Sequence, residues 1–229
     1  MSGTDAPATP ATPAAGNGRL FTGVVWAVLV LVLWLWGRDA PGALSGSSAP
    51  TTGDIAAVGR PPGVPMPPPH QPIDAAQPRR VAVPALDIDA PVVARGLDAQ
   101  GAVDPPPFET PHAVGWYGDG TRPGEPGAAL LVGHVDTETK PAVFYGLSAA
   151  RPGGKIEVTR ADGSVAEFTV DDVRVFGRDR FDPDKVYGPH HEGRAELRLI
   201  TCGGTFDRDK GTYTANVVVS AYLTGVTAP

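Results

Sequence analysis

Short apolar runs, several of them alternating with polar residues, recur through residues 79–229 and are separated by glycine- and proline-rich turns. No long stretch with a helical period of 3.6 residues interrupts them. This pattern is typical of a β-sandwich or β-barrel. Asp162-Gly163 lies between two of the runs and predicts a tight hairpin turn. The runs predict strands at 80–88, 90–94, 128–132, 155–159, 165–175, 197–201 and 213–222.

The N-terminal part of the chain has a different composition. Residues 20–36, from Leu20 to Trp36, form an uncharged apolar segment with an arginine on either side. At about 1.5 Å per residue, a helix of this length just spans the hydrocarbon core of a bilayer. We therefore predict a transmembrane anchor. The alternatives are a cleaved signal peptide, which would have a shorter apolar region, and a buried core helix.

Three further regions surround or follow the predicted anchor. Residues 1–19 have little to bury and are expected to be disordered. Residues 37–78 contain ten prolines and predict an extended spacer. Residues 79–229 form the predicted β-domain, with short helices at most. Because the N-terminal segment is short, we expect it to stay inside the cell, which makes this a single-pass protein of the cell membrane with an extracytoplasmic domain.

The net charge and the number of cysteines exclude several classes of function. The net charge is −6, which provides no general electrostatic basis for binding nucleic acid. A single cysteine excludes an internal disulfide framework and a multi-cysteine metal site. The carboxylates form no metal-binding constellation in the sequence. We predict neither a cofactor nor a metal.

Cys202 and His134 are the main candidates for chemistry. Cys202 ends a predicted strand and precedes two glycines, and an unpaired thiol in an exported domain needs a reason to be retained. A cysteine nucleophile needs a base or a cation, because the thiolate is the reactive form. His134 follows Gly133 at the end of another predicted strand, so two strand ends on one rim would bring it to Cys202. The alternative is that Cys202 and His134 are structural residues. His112 is ambiguous, and His190-His191 read as surface residues.

The oxyanion of an acyl transfer also needs a positive or hydrogen-bonding group. Arg198 shares a strand face with Cys202 but lies about 13 Å away at ~3.3 Å per residue. Arg208 lies in the connection FDRDKG, which we expect to fold back over the cysteine. We therefore predict Arg208 as the third catalytic residue. The alternative is a solvated charge in an acidic loop.

Together these segments resemble a sortase. The chain reads RVAVPALDIDAPVV near the start of the domain, LLVGHVDT in the middle and LRLITCGG before a last apolar strand. Sortases have a TLxTC-like strand that ends in the cysteine and an apolar-Gly-His segment upstream of it. The resemblance covers about residues 79–223. It is greatest to the class E/F sortases of high-GC Gram-positive bacteria, and class F is favoured.

The resemblance implies an eight-stranded β-barrel with a Cys–His–Arg site. It implies transpeptidation, in which the thiolate attacks the Thr–Gly bond of an LPxTG-like sorting signal and an amine resolves the acyl-enzyme. The implied partners are secreted proteins that carry the signal and an amine acceptor of the cell wall or of a surface protein. Cys202 and His134 match the family's motifs. Asn216 stands roughly where the family has its arginine, so Arg208 is the substitute.

Two other functions remain open at this point. An extracytoplasmic cysteine protease would use the same residues but would hydrolyse its acyl-enzyme. A non-catalytic anchored binding module would use the free cysteine for an intermolecular disulfide.

Overall fold

The computed structural model describes residues 66–229. The predictions for residues 1–19, for the apolar segment 20–36 and for most of the spacer 37–78 fall outside the described residues. Within 66–229, no helix has the length and apolar character that a membrane crossing requires.

Eight strands form a closed barrel, which confirms the predicted all-β barrel. Their order around the barrel is β1-β2-β3-β4-β7-β8-β6-β5, and β5 pairs again with β1. Among residues 66–229, helical structure is restricted to the α-helix α1 (Pro183–Tyr187) and three short 3-10 turns, Pro84–Leu86, Leu147–Ala149 and Arg178–Arg180. The strands are β1 (Pro78–Val83), β2 (Ile88–Arg95), β3 (Val114–Tyr117), β4 (Gly127–Val132), β5 (Lys155–Arg160), β6 (Val165–Gly177), β7 (Ala195–Asp207) and β8 (Thr212–Thr227).

The β5–β6 hairpin forms where the Asp162-Gly163 pair predicts it. Gly163 has a φ of +86°, a left-handed conformation that glycine adopts without strain. The Asp162 carboxylate accepts hydrogen bonds from the backbone nitrogen of Ser164 at 3.0 Å and from its hydroxyl at 2.7 Å. The turn is therefore fixed locally, and it sets the register in which Thr159 pairs with Val165.

The barrel interior is filled by aliphatic and aromatic side chains from all eight strands, together with Phe144 and Leu147 from the connection that follows β4. Residues alternate between this interior and the outer surface along β1 and β2, as the period of a strand requires. Burial of this cluster is the main source of stability for the domain.

Two of the strand pairs, β2–β3 and β4–β7, are parallel, and the others are antiparallel. Parallel neighbours need long crossover connections. The crossover between β4 and β7 contains β5, β6 and α1, and it leaves the ends of β4 and β7 at the same edge of the barrel. The sequence-predicted candidates His134 and Cys202 lie at this edge.

A second apolar cluster covers the outer face of β4, β7 and β8. Leu130, Val132, Ile200 and Val218 contribute to it from the strands, and Val186 contributes from α1. Phe176 of β6 packs against its border. The outer face below the candidate site is therefore sealed by packing, whereas the strand ends above it are only partly covered.

Candidate active site

The β4–β7 register places His134 and Cys202 at equivalent positions of neighbouring strands. Val132 pairs with Ile200, and the backbone nitrogen of Gly133 donates to the Ile200 carbonyl at 3.1 Å. His134 and Cys202 are each two residues beyond this pair. Paired strands lie about 4.8 Å apart and side chains repeat every second residue. If the register continues past this pair, the two side chains lie on one face, and their pairing in catalysis stays a prediction.

Cys202 is half-buried and free. Burial raises the pKa of its thiol, the positive charge of Arg178 lowers it, and the carboxylate of Asp136 raises it, with a net shift upward. The resting thiol is therefore protonated at neutral pH. Its activation requires proton removal and stabilisation of the resulting negative charge.

The backbone opens directly after Cys202. The pairing of β7 with β8 is interrupted by a bulge between Gly203 and Phe206. Gly204 has a φ of +76°, and a Cβ atom there would lie 2.6 Å from the hydroxyl oxygen of Thr214. A glycine is therefore required at this position, where the bulge interrupts the pairing of the strand.

His134 is held by the crossover between β2 and β3. Its Nε2 lies 2.6 Å from the Pro106 carbonyl oxygen. Since a carbonyl can only accept, Nε2 carries a hydrogen and Nδ1 is the ring nitrogen left to exchange protons. The ring of Phe108 stacks on the imidazole with centroids 4.2 Å apart and an interplanar angle of 21°. These two contacts fix the tautomer and the plane of the ring.

Asp136 and Tyr213 connect the segment that follows His134 to β8. The Tyr213 hydroxyl donates a hydrogen bond to the Asp136 carboxylate. Burial and this hydrogen bond raise the pKa of Tyr213, so the phenol stays protonated and keeps donating. Asp136 is half-buried and accepts this hydrogen bond from Tyr213.

The comparison with protein families decides the identity of the domain, because residues 81–224 match the sortase domain. The chain belongs to the sortase family. It is therefore a cysteine transpeptidase of surface proteins, as the resemblance in the sequence predicts. No sequence among the curated proteins matches this chain.

Solved sortase structures are similar to this sortase at low sequence identity. Sortase C1 of GBS pilus island 1 is 20% identical with a TM-score of 0.50, and the match covers 64% of this chain and 63% of that one. The pilus-related sortase C of Group B Streptococcus is 15% identical with a TM-score of 0.50, covering 67% and 70%. Sortase A of Listeria monocytogenes is 19% identical with a TM-score of 0.49, covering 67% and 90%.

The structure does not bring Arg208 to Cys202. The connection after Cys202 was expected to fold back, and this expectation is wrong, because the chain continues as β7 and pairs Asp207 with Thr212. At ~3.3 Å per residue, Asp207 lies about 17 Å beyond the cysteine. Arg208 is exposed in the turn between β7 and β8, and Asn216 is the residue paired with Cys202. The catalytic role of Arg208 stays a prediction.

Arg198 is enclosed further down β7. Its side chain is 1% exposed, lies 2.6 Å from a Glu196 carboxylate oxygen and donates to the Gly188 carbonyl at 2.9 Å. Glu196 also accepts from the backbone nitrogens of His190 and His191 at 2.9 Å each. The Glu196 carboxylate therefore neutralises this buried arginine.

Four residues of the site escaped the sequence reasoning: Pro106, Phe108, Arg178 and Tyr213. The long connection between β2 and β3 supplies Pro106 and Phe108, the turn that follows β6 and the strand β8 supply the other two, and no local motif marks any of them. Over residues 66–229, no cluster of three or more histidine, cysteine or acidic residues has the geometry to hold a metal ion.

Proposed function

We propose that this sortase cleaves an LPxTG-like sorting signal on secreted proteins and transfers the new acyl end to an amine of the cell wall or of a surface protein. The observation that supports this most is the β4–β7 register, whose last pair, Val132 with Ile200, lies two residues before His134 and Cys202. The signal itself is proposed from the sortase motifs of the chain. The sequence segments GHVD and ITCGG favour class F within the family.

Acylation begins at Cys202. The thiolate sulfur forms a bond to the threonine carbonyl carbon, and the carbonyl oxygen takes the negative charge. Collapse of this intermediate restores the carbonyl and breaks the Thr–Gly C–N bond. The leaving glycine nitrogen takes a proton from the His134 imidazolium, which received it from the thiol. The product is a thioester on Cys202.

Deacylation reverses these roles. The acceptor amine attacks the thioester carbon, gives its proton to His134 and forms the new amide bond as the Cys202 thiolate leaves. The contacts of Pro106 and Phe108 hold the imidazole in one orientation, so the same nitrogen can serve both half-reactions. Water in place of the amine would give hydrolysis, which is the competing outcome.

Incubation with LPxTG-type peptides, with and without an amine acceptor, tests the proposal. Ligated product that requires the amine supports it. Hydrolysed peptide alone would make the protein a cysteine protease. Absence of both products, together with a Cys202-linked dimer on non-reducing gels, would favour the binding module.

The proposed location follows from the apolar segment 20–36 and the proline-rich spacer 37–78. We propose a single-pass anchor with the sortase domain outside the cytoplasm, where secreted substrates pass. Protease added to intact protoplasts should remove the domain. A domain that resists this treatment, yet is digested after lysis, would contradict the proposed topology.

A further inference from the structure

The ladder of hydrogen bonds between β4 and β7 ends just before His134. Val132 and Ile200 form the last pair, and the backbone nitrogen of Gly133 makes the last bond, to the Ile200 carbonyl at 3.1 Å. In the described part of the chain, no backbone hydrogen bond joins residues 134–144 to β7 or β8. Backbone pairing therefore stops short of His134 and leaves the segment that carries it to be held by other contacts.

Residues 134–144, which we call the His134 loop, fold back on themselves as one hydrogen-bonded unit. The backbone nitrogen of Phe144 donates to the His134 carbonyl at 2.9 Å. Between these two ends, Asp136 forms a β-bridge with Pro141. A displacement of Asp136 is therefore transmitted to the backbone of His134, two residues earlier in the same unit.

A side-chain hydrogen bond joins the His134 loop to β8. The Tyr213 hydroxyl donates to the Asp136 carboxylate. Tyr213 itself pairs with Phe206 of β7, beyond the bulge that follows Cys202. Because β7 lies between β4 and β8 in the barrel, this bond connects the two neighbours of β7 in the stretch that β4 leaves unpaired.

Tyr213 is held in place for this contact. Its ring packs edge-on against Phe206, with centroids 5.2 Å apart and an interplanar angle of 66°. Burial and the hydrogen bond to Asp136 raise the pKa of Tyr213, so the hydroxyl keeps its proton and remains a donor at neutral pH. A carboxylate acceptor makes the bond stronger than one between two neutral groups.

We propose that Asp136 and Tyr213 are positioning residues whose hydrogen bond holds His134 beside the unpaired stretch of β7. The inference rests on the proposed function, in which His134 exchanges protons with Cys202 and with the substrate nitrogens. The contacts from the β2–β3 connection fix the plane of the imidazole. The bond between Asp136 and Tyr213 fixes the backbone that carries it. Neither residue transfers a proton, and both act through His134.

Tyr213→Phe tests the bond most directly, because it removes the hydroxyl and keeps the ring against Phe206. The variant releases the His134 loop at one point. We expect kcat for peptide transfer to fall by about 10–10²-fold, the scale that a displacement of a reacting group by roughly 1 Å produces. KM should change little, because neither Tyr213 nor Asp136 binds the substrate. Thermal unfolding of the same sample checks that the variant is folded.

Asp136→Asn separates the hydrogen bond from the charge. Its amide oxygen still accepts from the Tyr213 hydroxyl, so kcat should stay close to the wild type, whereas Asp136→Ala should match Tyr213→Phe. The double variant Tyr213→Phe/Asp136→Ala should lose no more than either single variant, because the two residues form one contact. Additive losses would overturn the inference. So would a low kcat in Asp136→Asn together with a wild-type kcat in Tyr213→Phe, since the charge of Asp136 would then be the feature that matters.

Hydrogen exchange measured by mass spectrometry reports on the His134 loop without any transfer reaction. Peptides that cover residues 134–144 should exchange faster in Tyr213→Phe and in Asp136→Ala than in the wild type, and at the wild-type rate in Asp136→Asn. Tyr145→Phe is the matched control, because it removes the same atom from a tyrosine directly after the loop that is 59% exposed. It should match the wild type in both exchange and kcat.

The exchange measurement also keeps failure of the proposed function distinguishable from failure of this inference. If the wild type transfers no peptide, the proposed function fails, but the exchange rates still show whether the bond between Asp136 and Tyr213 holds the His134 loop. Unchanged exchange of residues 134–144 in Tyr213→Phe overturns the inference whatever the transfer assay shows.

Discussion

The two halves of strand β7 differ in how completely their neighbours enclose them. From Ala195 to Ile200 the strand pairs with β4 on one side and β8 on the other. β4 ends at Val132, so from Cys202 to Asp207 the strand pairs with β8 alone. The open half starts where the nucleophile lies, and a chain that approaches this edge meets the sulfur first.

The charges near the two halves differ in the same way. Glu196 and Arg198 in the enclosed half have side chains that are 2% and 1% exposed and neutralise each other. Arg178 beside the open half has no carboxylate partner among the described residues. A buried charge must be paired to be tolerated, whereas an exposed charge such as that of Arg178 is stabilised by water. The ion pair in the enclosed half is therefore structural.

The largest effect is expected from Cys202→Ala, which should reduce transfer to background. No other thiol is present in the chain to form the acyl-enzyme. The change removes one half-buried sulfur atom at the open half of β7, so the fold should survive. Transfer kinetics and thermal unfolding of the same sample check both statements. Residual turnover well above background would contradict the nucleophile assignment.

His134→Ala should come next, with a loss of about 10²–10⁴-fold, the usual contribution of a general acid–base group. His112→Ala is the matched control, because His112 is exposed and has no role in the proposed mechanism. Transfer kinetics of both variants should separate them by at least tenfold. A larger loss of transfer activity in His112→Ala than in His134→Ala would contradict the assignment of His134 as the acid–base residue.

Glu196→Gln should affect stability and leave the chemistry intact. It leaves Arg198 buried without a counter-charge, and breaking such a pair costs about 3–5 kcal/mol. Urea denaturation at pH 7 should show this loss, while kcat per folded molecule stays near the wild type. A loss of kcat without a loss of stability would show that the enclosed half also serves catalysis.

The stability difference should depend on pH. Burial raises the pKa of Glu196. Hydrogen bonds from His190, Arg198 and His191, together with the charge of Arg198, lower this pKa by more, so that the net shift is downward. Its stabilisation is therefore complete above the unfolded pKa of about 4.3 and is lost as the pH falls through the lower folded value. The gap between wild type and Glu196→Gln should narrow in acid, and a gap that widens there would contradict this sign.

The smallest effect is expected from Phe108→Ala. Phe108 is 63% exposed, so its removal should scarcely change stability, but the imidazole of His134 loses its stacking partner. Aromatic pairs contribute about 0.5–1.5 kcal/mol, which corresponds to a reduction in kcat of roughly two- to tenfold. Phe108→Tyr keeps the stack and should behave like the wild type. Equal kcat values for the wild type and both variants would show that stacking by Phe108 does not contribute to catalysis.

Much of the barrel was predictable from local patterns. The run 128–132 became β4 and the hairpin at Asp162-Gly163 formed, because strand alternation and turn chemistry are local properties. Glycines beside reactive side chains pointed to Cys202 and His134, although Cys202 lies within β7 and not at its end. β3 escaped prediction because it has only four residues, three of them buried, and shows no alternation.

The rest of the site depends on long-range pairing. Gly203-Gly204 suggested that the strand ended at Thr201, but pairing with β8 extends β7 to Asp207 and carries Arg208 away from the cysteine. Tertiary pairing overrides strand propensity in such stretches. Cys202, Asn216 and Phe176 form one row only through the β7–β8–β6 register, which no local pattern of residues encodes.

Intact-protein mass spectrometry of the peptide-treated protein without an amine acceptor would detect the proposed intermediate. The account predicts an adduct with the mass of the N-terminal acyl fragment, located on Cys202 by proteolytic mapping and absent from Cys202→Ala. As a thioester, it should be released by hydroxylamine and converted to ligated product when the amine is added. Cleavage of the peptide without this adduct, or an adduct on another residue, would contradict the account.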